Sequence, residues 1–260
     1  MIEPTIFNQL IIWPIINLWI AVLKPLQSLG IPGAMGFSII LLTIVIRILL
    51  YPLSKKQLAS AHKMQLLKPE IDELKEKYKD KKKQQEQQLK LFKKHGINPA
   101  AGCLPTLLQF PILIGLYQVF LQVLNNGDFE ALVGQINKIV YFPMLKITDL
   151  NPDFFGISMG IKPSDWKEAG VWLLVIPVVT AGISFYQTQL MMEGSAPVVK
   201  KEGKEEDFGT SMQKQMKFMF PMMLGWISYA FPLGLTLYWN TFAAFGILQQ
   251  FRVKREFAGK

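Results

Sequence analysis

Residues 37–53 read FSIILLTIVIRILLYPL, an apolar run with one permanent cation, Arg47, near its middle. A hydrocarbon core about 30 Å thick takes roughly 20 helical residues to cross, so a run of this kind asks for lipid. A guanidinium at that depth costs roughly 2.5–3.5 kcal/mol on insertion scales. Any fold must hide the run and still give Arg47 polar company. Snorkelling is one escape: Leu53 lies about 9 Å further along the helix, and a long side chain recovers part of that distance.

Similar runs recur at Leu104–Leu124, Val171–Met192 and Phe218–Phe251. The last, with 34 residues, is too long for one span, and SYAFPLG interrupts it. Pro232 and Gly234 predict a tight turn there. The chain therefore reads as all-α and polytopic, with five spans at 34–53, 99–124, 171–192, 212–230 and 231–251. Half of the 260 residues are hydrophobic, with 18 phenylalanines and 12 methionines, which excludes an ordinary soluble domain. Residues 1–33 are apolar but broken by Asn8, Gln9, Pro14 and Asn17. Spanning inward to outward they would place Glu3 inside and Lys24 outside, against the positive-inside rule. The expectation is an interfacial helix on the outer face, anchored by Trp13 and Trp19.

The net charge of +9 is clustered: Ser54–His95 holds 13 lysines against six acids, and Arg252–Lys260 four basic residues against one acid. Both segments are expected inside. Residues 125–170, with four lysines against six acids, are expected outside. The 193–211 loop, polar and glycine-rich, returns inside by parity and is expected to be mobile. The N-terminus is then outside and the C-terminus cytoplasmic. Clusters that flank apolar runs point to a membrane partner, with no specific DNA binding and ribosomal RNA at most a secondary contact. With no cleavable signal or transit sequence in view, a bacterial plasma membrane is expected.

Within 54–98, Met64, Leu67, Ile71, Leu74 and Tyr78 recur at steps of three and four, a heptad seam. Pro69 fits a kink or a first helical turn. A second helix carries Leu89 and Phe92, and the two predict an antiparallel cytoplasmic hairpin in place of a solvated linker. Segment 125–170, containing TDLNPDFFGI, is expected to fold weakly over the outer ends of the spans.

Arg47 is not alone among the spans. Thr43 lies one turn earlier on its face, Gln109 is in the second span, Gln187 and Gln189 are in the third, and Tyr238, Trp239 and Asn240 are in the fifth. A single intramembrane glutamine is often only an interhelical hydrogen bond. Polar groups spread over several helices are best satisfied around water, which predicts a hydrophilic cavity that solvent reaches from the inner side. The spans carry no central Asp, Glu or His for a proton relay, no Ser–Lys or Asp–Asp pair and no phosphate-binding loop. The single cysteine, Cys103, excludes an internal disulfide, and no Cys/His spacing suggests a metal. A binding role without catalysis, cofactor or metal is the expectation.

Four stretches in order, TIVIRILLYPLSKKQ, KMQLLKPEIDELKEKYKDKK, KKHGINPAAGCLPTLLQFPILIGLYQVF and FPLGLTLYWNTFAAFGILQQ, resemble the YidC, Oxa and Alb membrane protein insertase family over about residues 36–251. The resemblance implies a five-helix core around a groove open to the cytoplasm and to lipid, and closed outside. It implies Arg47 as the positive centre of that groove, with Gln187 and Trp239 lining it and Thr43 and Tyr238 beside them. It further implies a cytoplasmic hairpin at 54–98. The expectation is of a core with no large outer domain before it, which looks like the shorter members of the family from outside the Gram-negative lineage. The basic tail, 252–260, is brief, which weakens an expectation of ribosome docking through it.

The function so implied is ATP-independent transfer of hydrophobic nascent proteins from the cytoplasm into the bilayer. Its partners would be nascent chains with acidic or polar translocated tails and the lipid bilayer, together with the general secretory translocon, the signal recognition machinery and the ribosome. A solute channel or carrier, and a structural partner of a larger translocon, would use the same polar cavity.

Overall fold

The structure is a computed structural model that describes residues 3–78, 80–97, 104–125, 129–192 and 208–258. The chain opens with a π turn, Asn8–Ile12, that runs into helix α1, Trp13–Ser28. Pro14, which lacks an N–H, sits in the first turn of α1, and the wide turn stands directly before it. The polar residues expected to interrupt this segment are instead used: the Asn8 amide donates to the Glu3 carbonyl at 2.8 Å, and Asn17 ties α1 to the chain near residue 140.

Helix α2, Ala34–Leu49, ends earlier than the expected Leu53. At Leu50 the chain bends by 63° into α3, Tyr51–Leu66. Pro52 explains the break, since it withholds a donor and its ring clashes with the carbonyl one turn back. A second proline, Pro69, lies in the first turn of α4, Lys68–Lys77, and separates it from α3 at Leu67. Asp80 accepts from the Lys82 N–H at 2.9 Å and so starts α5, Lys81–Lys94. Helices α4 and α5 meet in a small cluster of Leu67, Phe92 and Ile97, with Met64, Ile71 and Leu91 beside it. Leu89 is outside that cluster and exposed. The buried seam is therefore shorter than the heptad pattern suggests, because α4 is only 10 residues long.

Helix α6, Leu104–Asn125, leads to α7, Phe129–Ile139, and then to a short hairpin, β1, Asp153–Phe154, with β2, Ile157–Ser158. Its two-residue turn, Phe155–Gly156, has positive φ at both positions, as a hairpin of this twist requires. Phe154 lies against the bare Cα of Gly36 on α2 and edge-on to Phe37, with ring centroids 5.4 Å apart. Segment 129–170 is thus more ordered and more firmly docked than expected. After a short α8, Trp166–Ala169, come α9, Val175–Met192, α10, Phe208–Ala230, and α11, Leu233–Ala258. Gly225 lets α10 close on α9 near Pro177 and Ala181.

The connection between α10 and α11 is tighter than expected, and Gly234 lies in the first turn of α11 rather than in the turn before it. That end is capped from outside the helix. The N–H groups of Leu233 and Gly234 donate to the carbonyls of Ile161 and Met159, both at 2.9 Å. Donors that a helix leaves orphaned are satisfied by the 129–170 segment.

The core gathers Ile16, Trp19 and Ile20 of α1, Ile39 and Leu42 of α2, and Phe120 of α6. Trp19 was expected to anchor an interfacial helix, and the structure corrects this. Its indole is wholly buried, donates to Ser38 Oγ at 2.9 Å and meets the Phe120 ring edge-on. An indole fully enclosed by protein has no face left for lipid headgroups.

The outside of the bundle is apolar. Val178, Met222 and Trp226 are 70, 72 and 73% exposed, whereas Arg47, Ser184, Thr236, Gln249 and Gln250 are buried. That distribution inverts the soluble rule and suits hydrocarbon around the protein. Among the described residues, the helices at Asn8–Ser28 and Val171–Met191 are long and apolar enough to cross a membrane, and the bent pair α2–α3 becomes a third if read as one span. With 26 residues α11 is long enough, yet Tyr238, Trp239, Asn240, Gln249 and Gln250 keep it below that apolarity.

Candidate functional site

Helix α2 presents Arg47 in its last turn, and α11 supplies what surrounds it. Arg47 Nη2 donates to the Phe242 carbonyl at 2.6 Å and Nη1 to Gln249 Oε1 at 3.2 Å. The Gln249 amide returns a hydrogen bond to the Arg47 carbonyl at 3.3 Å, clamping the two helices together. The guanidinium carbon lies 3.4 Å from the centre of the Phe242 ring, in cation–π contact. Tyr238, one turn earlier on α11, is buried with its ring centroid 5.9 Å from that of Phe242.

Gly246 makes this convergence possible. A Cβ on its backbone would stand 2.6 Å from Arg47 Nη2 and 2.6 Å from Gln187 Nε2. Arg47 of α2 and Gln187 of α9 therefore press on the same bare spot of α11. A glycine inside a helix costs about 1 kcal/mol relative to alanine, and here the missing side chain makes room for two polar groups. Phe242, Gly246 and Gln249 follow one another at steps of four and three. Their sequence signal is a small residue and an amide on the face of an otherwise apolar helix.

Of the residues singled out in the sequence, Arg47, Gln187 and Tyr238 are brought together. Thr43 is fully buried one turn from Arg47 and spends its hydroxyl on the Ile39 carbonyl at 2.6 Å. Trp239 is half-buried on α11 and makes no hydrogen bond or ring contact among the described residues. Asn240 donates to Thr180 Oγ1 at 3.1 Å, joining α11 to α9. Gln189 is half-buried, and the side chain of Gln109 lies outside the described residues, as do residues 193–207 and Cys103.

Arg47 is more enclosed than the sequence predicts, with 8% of its surface exposed. Its polar and aromatic contacts are the Gln249 amide, the Phe242 carbonyl and the Phe242 ring. Among the described residues it has no carboxylate partner. Among the described residues, the buried polar atoms with no hydrogen-bond partner include Arg47 Nε, Ser184 Oγ, Thr236 Oγ1, Asn240 Oδ1 and Gln250 Oε1. These five come from three helices, α2, α9 and α11.

Toward the C-terminal end of α11, Gln249 also lines a cavity of about 610 Å³ that reaches Arg252 and Arg255. Nearby, Lys55 Nζ meets a Glu256 carboxylate oxygen at 2.6 Å. That hydrogen bond raises the lysine above its ordinary range.

Apolar helices that face outward around a buried cation define a helical membrane protein. The family model described as the 60Kd inner membrane protein matches residues 27–260. The membrane protein insertase MisCA of Bacillus subtilis is 34% identical over 224 residues, covering 84% of this chain and 70% of that protein. The membrane protein insertase YidC of Fusobacterium nucleatum is 32% identical over 228 residues, 86% of this chain and 88% of that protein. An ALBINO3-like chloroplast inner membrane protein of Chlamydomonas reinhardtii is 33% identical over 231 residues, and there the chain spans only 44% of the relative's length. Among solved structures, an active YidC insertase crystal structure with its first transmembrane domain resolved aligns with a TM-score of 0.51 at 28% identity, over 92% of this chain and 45% of that one. The chain belongs to the 60Kd inner membrane protein family, the family of the YidC, Oxa and Alb proteins.

Proposed function

We propose that this chain is a membrane protein insertase that passes hydrophobic nascent proteins from the cytoplasm into the bilayer, without ATP, through a hydrophilic groove centred on Arg47. Five spans, a cytoplasmic helical hairpin at 54–98, an outer N-terminus and a cytoplasmic C-terminus in a bacterial plasma membrane complete the reading. The N-terminal helix stays at the outer face. The contacts from Asn17 and Lys24 to residues 139–146, which belong to the outer loop, support this.

The observation that carries the reading is a cation held, among the described residues, by neutral acceptors. A buried charge that is already paired with a carboxylate has little left to offer a ligand. Arg47 has exchangeable partners instead: a backbone carbonyl and one glutamine amide. An acidic residue in the polar flank of a client can replace either one. At about 4 Å and an effective dielectric near 20 the attraction is roughly 4 kcal/mol before desolvation. That holds a flank transiently without trapping it. Gln187, Trp239 and the unpartnered atoms of Ser184, Asn240 and Gln250 shorten the dry path for the flank. Thr43 and Tyr238 back the site from the core.

The client's own apolar segment supplies the free energy, through transfer into lipid. It leaves along the exposed apolar faces of α9 and α10, where Met191, Met219, Met222 and Met223 give an adaptable surface. The hairpin receives the client, alone or from the signal recognition machinery, the ribosome or the general secretory translocon.

The test is insertion of a single-span client with an acidic N-terminal tail into liposomes that contain the purified chain and no nucleotide. Arg47→Ala is expected to slow insertion about tenfold, about 1.4 kcal/mol surviving desolvation, while Arg47→Lys retains most of it. Unchanged insertion by Arg47→Ala removes Arg47 from the mechanism, and ion flux without insertion makes the cavity a channel.

A further inference from the structure

The cavity beside Gln249 does not contain Arg47, and its lining differs from that of the groove. It opens where α3 bends away from α2, between that bend and the last turns of α11. Ile48, Phe245, Leu248 and Phe251 form an apolar wall. Ile48 and Leu248 are 58 and 59% exposed, so the wall faces the surroundings of the bundle. Arg252 and Arg255 stand at the end of this wall, three residues apart and on one face of α11, with Tyr51 opposite. The nearest acid in sequence, Glu256, is engaged by Lys55, and neither arginine has an ion-pair partner among the described residues.

We propose that this cleft is a binding site for an anionic phospholipid of the inner leaflet. Its phosphate would lie between Arg252 and Arg255, and an acyl chain would lie along Ile48, Phe245, Leu248 and Phe251. The inference rests on reading the α11 C-terminus as the cytoplasmic end. Two features select this occupant. A soluble phosphate has no use for an apolar wall beside the arginines, and a zwitterionic lipid offers no net charge to a cationic pair. Basic pockets between helices at this membrane depth suit anionic headgroups for the same reason. The occupant would wedge the α2–α3 bend against α11. Because Gln249 lines the cleft and also grips Arg47, the lipid would help to set the position of the groove's cation.

The experiment is a titration of the full chain in detergent with short-chain phosphatidylglycerol, phosphatidylcholine and inorganic phosphate, read by native mass spectrometry. Phosphatidylglycerol is expected to bind in preference to both others. Arg252→Gln with Arg255→Gln is expected to weaken it about thirtyfold, roughly fivefold for each arginine near an anionic surface. Leu248→Trp, which fills the cleft from an exposed position, is expected to weaken it about tenfold. Equal binding of phosphatidylcholine, equal binding of inorganic phosphate, an equal loss in Lys93→Gln with Lys94→Gln, or no effect of Leu248→Trp would each overturn the proposal. Insertion measured on the same preparations separates the two readings, since binding does not require insertion.

Discussion

Gly246→Ala adds one methyl group to α11 and puts it where two helices already meet. In the present geometry that carbon would lie 2.6 Å from Arg47 Nη2 and from Gln187 Nε2. Ordinary contact is about 3.5 Å or more, so both nitrogens must retreat by about 1 Å. Both are far ends of flexible side chains, and the helices themselves need not move. The bond from Nη2 to the Phe242 carbonyl, now 2.6 Å, is the one that breaks. A hydrogen bond from a charged donor is worth about 1.5–3 kcal/mol. Against this, alanine in place of a helical glycine contributes about 1 kcal/mol.

The net destabilisation is therefore about 1 kcal/mol, a fall of about 2–4 °C in the midpoint of thermal unfolding of the purified protein. Insertion of an acidic-tailed client into liposomes should drop much further, by about tenfold, because the cation has left its place on α11. Adding Gln187→Ala removes one of the two colliding groups, and the pair should show a coupling of about 0.5–3 kcal/mol instead of adding. If Gly246→Ala inserts clients at the unaltered rate while Arg47→Ala fails, the position of the guanidinium against α11 is irrelevant, and the geometric argument is wrong.

Two further outcomes test the frame that holds the site. Asn17 is buried and serves three backbone groups: its amide donates to the Trp13 and Ile139 carbonyls, and its carbonyl oxygen accepts from the Tyr141 N–H at 2.6 Å. Asn17→Ala leaves those groups unsatisfied and is expected to lower stability by about 2 kcal/mol, with faster amide exchange at Tyr141 as the local readout. Phe154→Ala withdraws the ring that docks the β-hairpin on Gly36 and is expected to cost about 3 kcal/mol in thermal unfolding. A change under about 0.5 kcal/mol would mean that the hairpin does not fix the N-terminal end of α2.

Local chemistry made much of this legible from the sequence alone. The apolar runs, the punctuation by Pro69 and Pro232, and the anomaly of Arg47 are properties of neighbours along the chain, because helix period and proline geometry act over a few residues. The four family stretches came the same way. The contacts that define the site lie at another range: Phe242 and Gln249 are 195 and 202 residues from Arg47. Periodicity places Phe242, Gly246 and Gln249 on one face of α11 but cannot say which helix that face meets. Only the packing of α2 and α9 against a glycine decided it, and it drew Arg47 deeper than an isolated helix would suggest. The same holds for Trp19, whose amphipathic ring suits an interface by composition and became a core residue because Ser38 and Phe120 arrived to enclose it. Side-chain type and spacing fix what a residue can do, and the long-range contacts of the folded chain select which of those options is used.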